Sequence, residues 1–258
     1  MKRIFHSFSL IINYKTFIVT ALSVISTYYC VETGLTAKFP DMLVGVAIVF
    51  PVVFSIGSAY NRRETALQRW ADFRGHAIAI YYATRDWVSN KENDLPQRTR
   101  DLITEMMGTL RTILKDDREQ WVENEHKYYH MFSKLSALTM ELRTYGVQSG
   151  EISRVSQYVS KMIIAFDNLK VIYLYRTPVT LRAYSKVFIY VFPIIYGPYF
   201  ASLDQDISAK LEYVMPVLYS FILVSLDNIQ DHLENPFDQV GEDDIQFDAE
   251  ETSGLMND

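Results

Sequence analysis

The feature that most constrains this chain is a set of four segments without Asp, Glu, Lys or Arg. They cover 16–31, 42–61, 187–203 and 213–226, so two precede a long polar middle and two follow it. A helix needs about 20 largely apolar residues to cross a bilayer, and only 42–61 reaches that length. Tyrosines flank the runs, as interfacial anchors do. The paired layout predicts two transmembrane hairpins, four spans in all.

The charges that border these runs predict an orientation. Basic residues follow the second run and precede the third, whereas the short connectors at 32–41 and 204–212 are mostly acidic. The positive-inside rule then places the N-terminus, the middle and the C-terminus in the cytosol. We predict transmembrane helices 1 and 2 in 1–61 and a cytosolic helical region in 62–186. Helices 3 and 4 fall in 187–235, and an acidic cytosolic segment in 236–258.

The N-terminus has one trait of a signal peptide, a basic start at Lys2 and Arg3. Polar residues at 13–15 interrupt the apolar stretch, and no small-residue cleavage site follows. We therefore expect this segment to be retained in the protein.

Composition narrows the class of protein. The 258 residues are 49% apolar and 14% aromatic, which excludes a disordered chain, and the 10 Gly and 8 Pro favour long helices. A net charge of −6 without a basic block makes nucleic acid an unexpected partner. Cys30 is the single cysteine, which rules out an intrachain disulfide. The sequence contains no P-loop, nucleophile elbow or dinucleotide fingerprint, so we expect no enzyme.

The polar middle has the period of amphipathic helices. Apolar residues recur at helical spacing through 102–114 and again through 155–169. Polar stretches at 89–96 and 145–150 predict breaks between helices. The expected fold class is all-α, an integral membrane protein with a cytosolic helical bundle.

The second run has a face that a pore could use. Phe50, Phe54 and Ser58 follow one another at four-residue steps on one side of a helix, and Pro51 loosens the backbone there. One interpretation is a hydrophobic constriction that gates by dewetting. The other is ordinary packing between helices. Spacing alone leaves both open.

Two further groups of polar residues are candidate cation sites. The carboxylates within 238–248 form either a solvated acidic tail or a set of oxygen ligands for Ca²⁺, although without EF-hand spacing. His126 and His130 stand four apart near Glu123 and Glu125, a spacing that can hold a metal. Without a third ligand in register, a solvated helix face is the simpler interpretation of the two histidines.

Several segments together resemble the bestrophin family of anion channels, including its short bacterial members. The residues 233–237 read Leu-Glu-Asn-Pro-Phe and lead into Glu242-Asp243-Asp244, similar to the family's turn after its last span. Arg69-Trp70 with Phe73-Arg74-Gly75 resembles the pattern after the second span, and Thr177-Pro178 the approach to the third. The resemblance covers most of the chain.

This resemblance implies a homopentamer in the cell membrane that conducts chloride through one central pore. The pore neck is lined by the second span. Matching Pro51 and Gly57 to the family places Phe50, Phe54 and Ser58 at the neck, whereas matching Arg69-Trp70 shifts the lining to Val53, Gly57 and Asn61. The cytosolic aperture falls near Val179.

The resemblance also implies a calcium clasp, with Asn235, Asp243, Asp244 and Asp248 as ligands of Ca²⁺. His232 stands where animal members have Gln, and the loop is longer. Arg62, Arg63 and Arg69 would form a basic vestibule that concentrates anions. Two alternatives remain: a non-conducting membrane scaffold, and a membrane enzyme or carrier with a metal at His126 and His130.

Overall fold

The fold consists of helices joined by short turns. The structure, a computed structural model, describes residues 12–38, 41–89, 93–115, 121–176, 178–203, 211–239 and 244–256, with the backbone alone for 41–49, and these residues contain no strand. The helices are α1 (Tyr14–Thr33), α2 (Asp41–Asp86), α3 (Leu95–Ile113), α4 (Trp121–Glu141), α5 (Ser149–Leu174), α6 (Val179–Ile195), α7 (Gly197–Phe200), α8 (Leu211–Glu234) and α9 (Ala249–Gly254). The all-α prediction is confirmed.

The chain divides into two compact units. The first unit contains Met1–Arg63, Arg176–Asn235 and Val240–Asp243, and the second contains Glu64–Tyr175, Pro236–Gln239 and Asp244–Asp258. The first 23 residues of α2 therefore belong to the first unit and the rest of this helix to the second. Each unit joins segments from both ends of the sequence.

In the first unit, α1 packs against α6, α7 and α8. Asn13 caps α1 with a capping box, in which its own amide donates to the Thr16 hydroxyl at 3.4 Å, and its side chain also accepts from the Lys15 amide at 2.9 Å. Val52 of α2 joins Val19, Ile189 and Leu223 in a small apolar core. Ser23 and Ser26 donate to the carbonyls of Pro193 and Ile194, both at 2.7 Å. These carbonyls lie in the last turn of α6, where helix carbonyls lack helical partners.

Gly197 is required by close packing in the same unit. A Cβ atom added at this position would collide with the Ser26 hydroxyl and the Ser26 backbone. The absence of a side chain at the start of α7 thus lets α1 approach its backbone directly.

The outer surfaces of the first unit's helices are apolar. Large exposed side chains follow one another along α1, α6 and α8, among them Phe17, Ile25, Val187, Leu218 and Ile222. Among the described residues, α1 is by itself long and apolar enough to cross a membrane, and α5 with α6 meets that requirement only as one broken span.

The second unit has an apolar core of ordinary composition. Tyr128 and Phe166 are fully buried and stack at a centroid distance of 4.5 Å, and the Tyr128 hydroxyl donates to the Met106 carbonyl at 3.1 Å. The apolar positions predicted for 102–114 are all buried in this core. Of the positions at helical spacing within 155–169, Val155, Val159, Met162, Phe166 and Leu169 are buried and Ile163 is partly buried.

The segment after α8 belongs to this core. It contributes four buried side chains, those of Phe237, Ile245, Phe247 and Met256. The rings of Phe247 and Trp70 pack edge to face, with their centroids 4.7 Å apart. The Ile245 amide donates to the Pro236 carbonyl at 2.9 Å. In the described part of the acidic segment, Ile245 and Phe247 are thus anchored in the core while Asp238 and Asp248 are exposed.

The breaks between helices follow the polar stretches of the sequence. α2 ends at Asp86 and α3 begins at Leu95, which agrees with the break predicted for 89–96. α4 ends at Glu141 and α5 begins at Ser149, close to the break predicted for 145–150. The second apolar run continues into the polar middle as one helix, α2, as its uninterrupted helical pattern requires.

Candidate functional site

The first unit carries a long exposed stripe on α2. The neck stripe consists of the six residues predicted for the pore neck in either register: Phe50, Val53, Phe54, Gly57, Ser58 and Asn61. Phe50 and Phe54 are 56% and 61% exposed, and their rings lie 5.5 Å apart. Val52, Ser55 and Ala59, on the opposite side of the helix, are buried. In the isolated chain, large apolar rings thus face outward beside a packed helix face.

The geometry of α2 brings the two predicted registers together. A shift of three residues turns an α-helix by about 300°, which moves a position by only 60° to one side of the original face. Val53, Gly57 and Asn61 therefore share a face with Phe50, Phe54 and Ser58, and only Gly57 of the six is half-buried. The sequence could not decide between the registers, and the structure places both on one surface.

Val179, the predicted aperture residue, begins α6. Pro178 directly precedes it, at the position where proline is compatible with a helix start. Its side chain is 69% exposed. An apolar side chain thus stands at the N-terminal end of a helix in the same unit as the neck stripe.

The three arginines of the predicted vestibule have different surroundings. Arg62 is half-buried, and its Nε donates to the backbone carbonyl of Glu234 at 3.1 Å. Arg63 is half-buried in the same unit. Arg69 belongs to the second unit and pairs with Asp72 at 2.9 Å. Arg62 therefore binds the C-terminal end of α8, a role that charge counting along the sequence did not reveal.

A row of polar contacts joins α6 to α8, and sequence analysis missed it. This polar ladder has three rungs: Tyr190 donates to Asp227, Lys186 contacts both carboxylate oxygens of Asp231 at 3.1 and 3.2 Å, and Arg182 contacts Glu234 at 2.9 Å. From rung to rung in this order, the α6 residue number falls by four, while the α8 residue number rises by four and then by three. This pattern matches two antiparallel helices in contact.

The N-terminal end of α1 contacts the same side of α8. Asn13 donates to the side chain of Asn228 at 2.8 Å, and Lys15 lies 3.5 Å from Asp231. Asp227 is fully buried, and its second carboxylate oxygen has no partner within the described residues. The C-terminal half of α8 is thus a polar seam to which α1, α2 and α6 are each attached.

The signal for this seam was present but not local. Asp227, Asp231 and Glu234 share one face of α8, and Arg182, Lys186 and Tyr190 share one face of α6. Each set has helical spacing, but nothing in the sequence states that residues 45 apart will meet. In the sequence, Glu234 stands out only as part of the Leu-Glu-Asn-Pro-Phe segment, which carries no information about its partners on α6.

Three of the four predicted calcium ligands, Asn235, Asp244 and Asp248, lie among the described residues. Asn235 belongs to the first unit, Asp244 and Asp248 to the second, and Asp243 lies outside the described residues. Asp248 is the N-cap of α9, accepting from the Glu251 amide at 2.8 Å. Within the described ranges, no three His, Cys, Asp or Glu side chains are close enough to hold a metal ion. The calcium clasp therefore stays a prediction.

His126 and His130 lie exposed on α4, in the second unit. Lys170, of α5, pairs with nearby Glu125. The described part of the chain contains no third ligand for the two histidines. They therefore have the surroundings of a solvated helix face.

Comparison with known proteins gives matches of fold alone. No family model matches the chain, and no curated protein is similar to it. Among solved structures, single-site variants of the bacterial bestrophin homologue from Klebsiella pneumoniae match it with TM-scores of 0.79 and 0.77. Both are 15% identical, and they cover 95% and 94% of this chain and 98% and 95% of their own. This chain has the bestrophin fold.

A third solved structure has the same relation to the chain. It is a single-site variant described as a membrane protein, with 16% identity, a TM-score of 0.75 and 96% of each chain covered. The match in fold thus covers nearly the whole length of this chain and of each of the three solved structures.

Proposed function

We propose that this chain is the subunit of a homopentameric anion channel in the cell membrane. Chloride and similar anions would cross passively, driven by their electrochemical gradient, through a central pore lined by the neck stripe of α2. The observation that carries the proposal is this stripe: large apolar side chains exposed beside a well-packed helix face, at the positions where the bestrophin resemblance places the neck.

Physical chemistry explains why such a surface suits a pore. An exposed apolar stripe is costly in water unless other copies surround it or it lines a narrow passage. Around a symmetry axis, five copies of Phe50 and Phe54 would form apolar rings that conduct when wet and close when they dewet. The ring edges carry partial positive charge, which suits a permeating anion.

The exposed apolar surfaces of α1, α6 and α8 support a membrane location. They would contact lipid, while the charged and polar side chains of the polar ladder pair with one another within the protein. The orientation with both termini in the cytosol continues to rest on the flanking basic residues. Calcium control stays a separate expectation, and no step of conduction proposed here uses it.

Chloride flux in liposomes reconstituted with purified protein tests the proposal. We expect flux above that of empty liposomes and a detergent-solubilised particle whose protein mass is five times 30.0 kDa. Ser58→Phe adds a third aromatic ring to the neck stripe and is expected to lower the flux by dewetting. Val122→Phe, on the exposed surface of α4, is the matched control, and its flux should equal that of the parent.

A non-conducting membrane scaffold is the second candidate, since the charged surface of the second unit could dock partners. It predicts a stable membrane particle without chloride flux, and it predicts that Ser58→Phe has no effect. A pentamer that conducts nothing under any ionic condition would favour the scaffold over the channel.

A further inference from the structure

Glu234 is the last residue of α8, and two helices are attached to it. Its carboxylate binds Arg182 of α6 at 2.9 Å, and its backbone carbonyl accepts from Nε of Arg62 of α2 at 3.1 Å. Glu234 is only 3% exposed, whereas its two partners are partly exposed. A single buried residue therefore connects the helix of the neck stripe to the helix that begins at Val179.

The contacts lie about one helical turn from both candidate pore positions. Ser58 precedes Arg62 by four residues on α2, about 6 Å along the axis, and Val179 precedes Arg182 by three residues on α6, about 4.5 Å. A shift of either arginine would therefore move backbone that carries one of these positions. The apolar core at Val52, Ile189 and Leu223 joins the same helices but lies farther from Val179.

The chemistry of the junction favours a fixed geometry. A buried carboxylate without its partner cation is costly, so Glu234 holds Arg182 in place. The C-terminal end of a helix leaves its last carbonyls unsatisfied, and the Arg62 guanidinium fills one of them while complementing the helix dipole. Neither arginine can move away without leaving a buried acceptor unpaired.

We infer that Glu234 is a positioning residue that couples the conformation of the neck stripe to that of the Val179 end of α6. Through the Arg182–Glu234–Arg62 junction, a change at one end of the permeation path changes the population of conformations at the other. This coupling is reciprocal, as any equilibrium coupling between two sites must be. The inference rests on the proposed function for its meaning, but its test does not require conduction.

The test changes one helix and measures the other. The single native cysteine, Cys30, is replaced by Ala, and Ser58→Cys or Val179→Cys provides one reactive thiol in the purified oligomer. The rate of reaction with a small charged methanethiosulfonate reports the exposure of each position. We expect Arg182→Gln to change the rate at Ser58→Cys, and Arg62→Gln to change the rate at Val179→Cys, each by about threefold or more.

Lys186→Gln is the matched control. It removes a neighbouring contact between α6 and α8, with Asp231, but does not touch Glu234 or α2. Its rate at Ser58→Cys should stay within twofold of the parent. The charge-exchanged pair Arg182→Glu with Glu234→Arg should restore the parental rate, which a loss of general packing would not allow.

Two results would overturn the inference. One is an unchanged rate at Ser58→Cys in Arg182→Gln, together with particles of parental mass. The other is an equal change in Lys186→Gln, which would assign the effect to packing of α6 in general. A parent that conducts no chloride but has the expected thiol rates would reject the channel and retain the coupling.

Discussion

The two units of this chain distribute polarity in opposite ways. The first unit exposes large apolar side chains on α1, α6 and α8, and it pairs the half-buried Tyr190, Lys186 and Arg182 with carboxylates of α8. The second unit buries an aromatic core and carries exposed ion pairs on its surface, such as Lys127 with Glu123. The mean hydropathy of the whole sequence, −0.01, therefore averages over one unit with an apolar surface and one unit with a charged surface.

The strongest test of this contrast removes one cation from each unit. Arg182→Ala leaves Glu234 buried without its partner, so we expect a loss of about 3 kcal/mol in unfolding free energy, at the low end for buried pairs because Arg182 is partly exposed. Lys127→Ala breaks an exposed pair and should leave the unfolding midpoint in detergent unchanged. Equal effects would contradict the contrast.

A charge on each unit's exposed apolar surface gives the next largest effect. Ile25→Asp, in the middle of α1, should make the free energy of membrane insertion less favourable by about 3 kcal/mol if that surface faces lipid. Val122→Asp on α4 is equally exposed and should insert normally if the second unit lies in water. The membrane-bound fraction after expression measures both. Normal insertion of Ile25→Asp would mean that water or protein surrounds α1.

Asp248 of the second unit has an observed role as a helix cap and a predicted role as a calcium ligand. A cap requires only a side-chain oxygen, whereas the predicted calcium role requires the carboxylate charge. Asp248→Ala loses the cap of α9 and should cost about 1 kcal/mol, whereas Asp248→Asn keeps a good cap and should cost little. If calcium also binds, Asp248→Asn and the pair Asp243→Ala with Asp244→Ala should each abolish calcium dependence of chloride flux. A parent whose flux ignores calcium would contradict the calcium expectation.

The smallest expected effect concerns His76 on the second unit's half of α2. Burial lowers the pKa of His76, and nearby Lys161 lowers it further. The unfolded chain then binds more protons as pH falls, so stability is present above about pH 6.5 and is lost as pH falls toward the folded pKa. In His76→Gln, the unfolding midpoint should depend less strongly on pH between about pH 5 and 7.

Much of the fold could be predicted from local pattern. The periods of 102–114 and 155–169 gave buried faces of α3 and α5, and the polar stretches near 89–96 and 145–150 gave the breaks. Two parts of the candidate site escaped. The partner of Arg62 was missed because a guanidinium on one helix gives no signal for the carbonyl it will reach. The burial of Phe247 and Ile245 was missed because carboxylates dominate the composition around them.

The sequence by itself determined that the chain is helical, that apolar runs stand in pairs, and that Phe50, Phe54 and Ser58 share a helix face, since these follow from a 3.6-residue period. Only the tertiary structure decided which face of α2 stays uncovered and that both candidate neck registers lie on it. It also decided that Glu234 joins Arg182 and Arg62. These outcomes depend on which helices pack together, and such contacts are made between residues far apart in the chain.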